Sequence, residues 1–284
     1  MASVLVTGAS GFIGRALVMA LKQQGHDVVA ISGSDGDASD PLTWQQWPRV
    51  NHLFHLAGRS YVPDSWLEPE AFVKANYHGT WNALEFCRRN GADITYVSGY
   101  VYGIPEFLPI TEDHPIHPNN PYALSKFLAE EACRFYTNVH SMNVTIVRPF
   151  NVYGPGQRKE FLIPEIIAQV ISGKQIRLKD LKPRRDYVYL DDLVEALCRT
   201  MKLCKSLNIL NIGSGTSYSV AEIVDAVQKV AGTGLEVLSE DRVRKQEIPE
   251  TIADISRAYR LLGWKPQRSF QQGIAQVFKG EKYH

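Results

Sequence analysis

What this chain lacks narrows it first. No apolar run reaches the length that crosses a bilayer, so no membrane-spanning helix is expected. Charge of one sign is not in excess. The 31 Lys and Arg against 30 Asp and Glu leave a net charge of +1, which gives no footing to a nucleic-acid or membrane partner. Cysteine is scarce. Cys87, Cys133, Cys198 and Cys204 show no CxxC spacing and read as reduced structural thiols, which points to the cytoplasm; no metal site is expected. The opening "MASVLVTGAS" enters a strand-like run by Val4, which leaves no room for an export signal. Internal repeats and low-complexity segments are absent.

What is present is the composition of an ordinary globular chain: 44% apolar and 21% charged residues over 284 positions, enough for a substantial core. Apolar β-branched runs alternate with helical patterns. "SVLVTG" precedes a helix from Phe12, "VNHLFHLAG" precedes a helix across 68–90, and "ADITYVSG" precedes a helix from Tyr122. Such alternation, with nearly continuous apolar strands, predicts an α/β fold whose parallel sheet is covered on both faces. Beyond Pro149 the pattern loosens. A helix across 163–172, a short strand near 176–178 and the run "RRDYVYLDDLVEAL" follow. The expected division is a large lobe of residues 1–150 and 186–215, and a smaller α/β lobe of 151–185 and 216–284.

Two local patterns carry chemistry. In "VLVTGASGFIGRAL" (4–17), Gly8, Gly11 and Gly14 sit where a first strand meets a first helix. Glycine allows a tight turn and close backbone approach, and a helix N-terminus offers unpaired N–H groups to a pyrophosphate. The spacing GxxGxxG is one residue longer than the commonest dinucleotide fingerprint. A purely structural turn is the competing reading. The expected cofactor contacts are Gly8, Ser10, Gly11, Phe12, Ile13, Gly14 and Arg15. At the end of the second strand, where NAD-binding chains place an acid, stands Ser32; the first carboxylate is Asp35. With Arg15 available for a 2′-phosphate, NADP(H) is favoured over NAD(H). The second pattern is "PYALSK" (121–126). Tyr122 and Lys126 lie one helical turn apart on one face, with Pro121 suited to the helix start. That pair alone does not separate surface decoration from an acid–base couple.

Taken in order, "TGASGFIG" (7–14), "FHLAG" (54–58), "KANYHGTWNALEFCRRNG" (74–91), "YVSGYVYG" (96–103), "PYALSK", "RPFNVYGPGQ" (148–157), "RRDYVYLDDLVEAL" (184–197), "LNIGSG" (210–215) and "ADISRAYRLLGWKP" (253–266) resemble the extended short-chain dehydrogenase/reductase family. That family comprises nucleotide-sugar epimerases, dehydratases and reductases. The resemblance implies a Rossmann-type doubly wound lobe, a smaller nucleotide-sugar lobe and a bound nicotinamide cofactor, with Leu56, Ala57, Gly58 and Pro149 also facing it. It implies a catalytic group of Ser98, Tyr122 and Lys126. A phenol with an ordinary pKa near 10 is expected to be lowered by the neighbouring ammonium. Asn76 is either a helix-kink and proton-relay residue or a structural amide.

Relatives that dehydrate place Asp and Glu just after the catalytic Ser or Thr; here those positions are Gly99 and Tyr100. That leaves a 4-ketoreductase or a 4-epimerase. The short chain, the cofactor reading and "KDLKPRRDY" (179–187), which resembles enzymes handling 6-deoxy-4-keto sugars, favour reduction. On the substrate side the resemblance implies that Asn151 and Arg185 meet the diphosphate, Arg244 adds a second guanidinium, and Glu247 reaches the nucleoside ribose. Arg184 and Asp186 read as structural partners between the lobes. Apolar residues on both sides of the helix from Tyr122 lead to an expected homodimer through a four-helix bundle.

Overall fold

The computed structural model describes residues 1–203, 206–241 and 247–282. Its first half alternates strand and helix as expected: β1 (Ser3–Thr7), α1 (Phe12–Gln23), β2 (Asp27–Ile31), β3 (His52–His55), α2 (Val62–Leu67), α3 (Pro69–Phe72), a π-helical turn (Val73–His78), α4 (Gly79–Asn90), β4 (Asp93–Val97), α5 (Pro121–His140) and β5 (Val144–Pro149). The single helix expected over 68–90 is thus interrupted by the π-turn. The second half carries β6 (Asn151–Tyr153), α6 (Leu162–Ile171), β7 (Ile176–Leu178), β8 (Arg184–Tyr189), α7 (Leu190–Thr200), β9 (Leu207–Ile212), β10 (Ser217–Ser219), α8 (Val220–Ala231), β11 (Val237–Ser239), α9 (Ser256–Leu262) and α10 (Phe270–Lys282).

Six parallel strands form the main sheet in the order β2-β1-β3-β4-β5-β9. Alternate residues go to opposite faces. Leu5, Leu53, Ile94, Tyr96 and Ile146 pack under α4 and α5, while Val4, Val6, Phe54, Val97, Val147 and Leu210 pack under α1 and α7. Two buried faces explain why these strands read as unbroken apolar runs. The strand order reverses between β1 and β3. In open sheets of this kind the ligand crevice lies outside the carboxyl ends at such a point.

The smaller lobe holds the sheet β10-β8-β6 and the pair β11-β7. Tyr153, Tyr187, Tyr189 and Phe270 fill its core against α6, α8 and α10. Two stretches sit differently from the expected division. β8 pairs with β6 and β10, so residues 186–189 lie in the small sheet and the chain rejoins the large lobe at α7. Residues around Ala258 and Trp264 return to the large-lobe core. Both departures arise from pairing and burial over long sequence separations, which local patterns do not carry. Asp186 ties this junction together: its carboxylate accepts from the backbone N–H groups of Ser214, Gly215 and Ala253. Arg184 pairs with Glu222 and Glu250. Both have the structural role expected of them.

Candidate active site

The glycine loop is built around two steric demands. Gly8 has φ +69°, and a Cβ there would meet Ala57 N at 2.8 Å. At Gly14 a Cβ would stand 2.1 Å from the carbonyl oxygen of Gly8. Only glycine lets β1, α1 and the β3 end close this tightly. No side chain caps α1 at Gly11. Its first-turn N–H groups, with Ser10, Phe12, Ile13 and Arg15 around them, remain available to an anionic ligand. Leu56 and Ala57 follow directly, Ala57 N donating to Thr7 Oγ1 at 3.3 Å. The glycine loop and the β3 end lie at the switch point between β1 and β3, and their bare backbone and uncapped N–H groups fit the pyrophosphate of a dinucleotide; Pro149 ends β5, two strands away.

At β2 the structure corrects one expectation. The chain does not carry Asp35 away from the strand end. A one-turn helix at Gly33–Asp35 folds it back, and its carboxylate accepts from Ser32 N at 2.8 Å and Ser32 Oγ at 2.6 Å. The acid thus lies near the strand end, with its carboxylate engaged by Ser32 within its own turn. The signal was a Ser-x-x-Asp capping pattern.

Helix α5 starts where the sequence says it should. Asn120 caps it, accepting from Ala123 N at 2.8 Å, and Pro121 occupies the first turn. Tyr122 is half-buried with its ring edge-on to Phe72 at 6.4 Å. A Cβ at Gly99 would fall 2.2 Å from the Tyr122 hydroxyl oxygen. The hydroxyl thus rests on bare backbone beside Ser98, and Gly99 matters for the room it leaves as well as for the acid it omits. Lys126 is buried. Its Nζ donates to Val97 O at 2.8 Å and lies 4.8 Å from the centroid of the Tyr96 ring. Gly58 is close to both partners of this corner: its Cβ position is 2.4 Å from Asn76 Oδ1 and 3.8 Å from Lys126 Nζ.

Electrostatics here run opposite to the expected lowering of the phenol. Burial pushes Tyr122 up to about 12. It also pulls Lys126 down to about 8, opposed by Glu130. Loss of water is the cause acting on Tyr122, and the Lys126 ammonium is directed at Val97 O. At neutral pH the site therefore presents a protonated phenol and an ammonium that is still mostly charged.

Asn76 sits in the π-turn with its amide fully engaged. Its Nδ2 donates to Arg59 O at 3.0 Å and Ser125 Oγ at 2.9 Å, and its oxygen accepts from Arg59 N at 2.9 Å. The kink is present, and the side chain is used to pin the loop after β3 to α5.

Ser98 is buried at the end of β4, and its hydroxyl donates to Glu130 Oε1 at 2.6 Å. Glu130 is in turn gripped by Arg148, from Nε at 2.9 Å and 3.2 Å, and from Nη2. Neither Glu130 nor Arg148 belongs to a local pattern that by itself marks chemistry. Glu130 lies on the stripe of Tyr122 and Lys126, one turn further on, and that spacing was the available signal.

On the substrate side the expected residues already have partners within the protein, backbone as well as side chain. Arg185 donates to Ile248 O at 2.6 Å and pairs with Glu247. Asn151 Nδ2 donates to Asp186 O at 3.1 Å. Arg244 lies outside the described residues. No group of metal-ligand side chains occurs among the described residues, and none of their helices is long and apolar enough to cross a membrane.

With this geometry in hand, comparison with known proteins decides the family. The NAD dependent epimerase/dehydratase family matches residues 4–213. The chain belongs to that family. GDP-6-deoxy-D-mannose reductase of Pseudomonas aeruginosa is 30% identical over 290 residues, covering 96% of this chain and 95% of that one. UDP-glucose 4-epimerase of Lactobacillus helveticus is 30% identical over 326 residues, covering 99% and 97%. The solved structure of RMD from Pseudomonas aeruginosa complexed with NADPH superposes with a TM-score of 0.91 at 28% identity, covering 100% of this chain and 99% of that one. Like its relatives, this epimerase/dehydratase-family member is an NAD(P)-dependent enzyme with a Rossmann-type α/β fold.

Proposed function

We propose that the enzyme reduces a 4-keto-6-deoxyhexose carried on a nucleotide, with Tyr122 as the acid. The observation that supports this best is geometric: the Tyr122 hydroxyl rests on the bare backbone of Gly99, the residue after Ser98, with Lys126 buried one helical turn on. A bound nicotinamide supplies the hydride to the carbonyl carbon. The carbonyl π pair moves to oxygen, and Tyr122 delivers its proton there. Lys126 stabilises the phenolate left behind, and solvent returns the proton. Similarity to GDP-6-deoxy-D-mannose reductase along almost the whole chain supports the same reading.

A 4-epimerase working through a transient 4-keto sugar is the second reading, supported by the identity to the Lactobacillus helveticus enzyme. It begins by removing a proton from an alcohol, for which a phenol raised to about 12 must first be lowered by added positive charge. The run "KDLKPRRDY" (179–187) and the short chain are what rank it second.

For the cofactor we propose NADP(H). Asp35 spends its carboxylate on its own turn, Arg15 is exposed beside the glycine loop, and a similar structure holds NADPH. The substrate diphosphate is proposed to engage Asn151 and Arg185, with Glu247 turning from Arg185 to the nucleoside ribose. The protein is proposed to work in the cytoplasm, as its buried thiols Cys87, Cys133 and Cys198 suit. A homodimer through α4 and α5 is proposed from the exposed Trp81, Leu124, Phe135 and Val139, with Trp81 stacked on Phe135 at 6.3 Å.

The deciding experiment mixes the purified enzyme with NADPH or NADH and GDP-4-keto-6-deoxymannose, and follows the reduced-nicotinamide absorbance. Loss of the band supports reduction. Tightly retained NAD+ with interconversion of UDP-glucose and its C4 epimer would establish the second reading. Failure with every nucleotide sugar removes both.

A further inference from the structure

Ser98 has one proton, and the fold has already assigned it. Glu130 is 0% exposed and stands on α5 one turn beyond Lys126. Its Oε1 takes the Ser98 hydroxyl at 2.6 Å. Arg148, also 0% exposed, holds the same carboxylate on the opposite side through Nε and Nη2. Nη1 of Arg148 continues to the Tyr102 hydroxyl at 2.9 Å, which donates to Asn211 Oδ1 at 2.5 Å. Asn211 is fixed in turn, its N–H donating to Glu112 and its amide to Ile110 O. The carboxylate is therefore clamped from behind by a chain of buried groups anchored on β5 and β9. Taking Glu130 out of water without that clamp would be costly, and with it the carboxylate has no second place to go.

We infer that Glu130 is a positioning residue which turns the Ser98 proton away from the cleft, so that Ser98 meets the sugar as a hydrogen-bond acceptor of its C4 hydroxyl. The inference rests on the function proposed above and refines it. A hydroxyl whose proton goes to a carboxylate presents only lone pairs on its other side. Lone pairs bind the O–H of an alcohol and repel the oxygen of a ketone. In the reductive direction the ketone is then held by the Tyr122 O–H, and Ser98 engages the alcohol as it forms. The alcohol state is thus the one that Ser98 stabilises.

Equilibrium binding in a chemically silenced protein tests this without relying on turnover. In Tyr122→Phe, calorimetry compares GDP-6-deoxy-D-mannose with GDP, and UDP-glucose with UDP. Whichever pair the protein accepts should show the sugar adding affinity. Adding Glu130→Asp, which keeps the charge beside Arg148 but withdraws it from Ser98, should weaken the nucleotide sugar about tenfold, the worth of one good hydrogen bond. The bare diphosphate should be unaffected. Ser98→Ala should produce the same sugar-specific loss, and in its background Glu130→Asp should add nothing. If Glu130→Asp does not fold, Ser98→Ala in Tyr122→Phe is read against the keto and hydroxyl forms of the same nucleotide sugar: an acceptor loses affinity for the hydroxyl form and spares the keto form, and the reverse overturns the inference. The inference is overturned if sugar and diphosphate weaken together, if the sugar adds no affinity, or if Glu130→Asp acts equally with Ser98 removed. Turnover of the unmutated enzyme toward a keto sugar tests the proposed function separately, so the two failures are distinguishable.

Discussion

The two lobes hold their halves of the site in different ways. Around the cofactor crevice the grip is backbone. Gly8 and Gly14 set distances that no side chain can reproduce, and the uncapped start of α1 supplies N–H groups. Facing it, the small lobe offers side chains, and these already have partners: Arg185 with Glu247, and Asn151 with Asp186 O. The contrast is between a preformed backbone surface and side chains that would have to exchange partners to take the proposed ligand. Backbone geometry costs nothing to maintain once the fold is made, whereas a guanidinium already paired gives up that bond before it meets a phosphate.

The comparison is most sharply broken at the catalytic corner. Tyr122→Phe removes the proton donor while leaving the crevice intact. Turnover should fall by about 10²–10⁴-fold, with cofactor affinity nearly unchanged in a fluorescence titration of reduced nicotinamide. Equal losses in both would make Tyr122 a packing residue. On the rigid side, Gly14→Ala pushes a methyl group against the carbonyl of Gly8. It should destabilise the fold by about 1–3 kcal/mol in denaturant melts and weaken the cofactor at least about tenfold. On the exchangeable side, Arg185→Ala should raise KM for the nucleotide sugar about tenfold with little change in cofactor binding, because it removes a charge-assisted bond without moving the sheet.

A pH profile offers a subtler test. Lys126 lies below its ordinary value because of burial, at about 8. It is a base whose protonated form assists Tyr122, so reductive turnover should hold below that value and decline as pH rises through it. Lys126→Met should lack this limb. A profile flat to well above pH 8 would remove Lys126 from the proton path. The smallest effect is expected at the adenosine end. Asp35→Asn removes the carboxylate from the Ser32 turn and should shift the NADPH-to-NADH ratio of kcat/KM towards NADPH by a few-fold at most, because the group is exposed and screened.

Much of this was legible in one dimension. The parallel sheet appears as unbroken apolar runs because each strand is buried on both sides, and α5 is marked by Pro121 and by the one-turn spacing of Tyr122 and Lys126. The glycine loop followed from spacing. Less legible was anything that depends on which distant groups meet. Asp35 is three residues from Ser32, yet its return to the strand end required the turn. Tyr122 and Lys126 were correctly placed on one face, but the direction of the phenol shift was misjudged, because burial is a property of the packed helix and not of the pair. Glu130, Arg148 and Ser98 lie on α5, β5 and β4, and no local pattern joins them.

Periodicity and short spacings carry the fold class, the glycine loop at the first strand–helix junction and the phenol–amine pair, and the ordered motifs carry the family. Packing alone sets the strand order and its switch point, which groups are dry, which are already partnered, and where the Ser98 hydroxyl is directed. The reason is physical: desolvation and hydrogen-bond direction arise from neighbours brought together across the chain, and both fall off within a few ångströms.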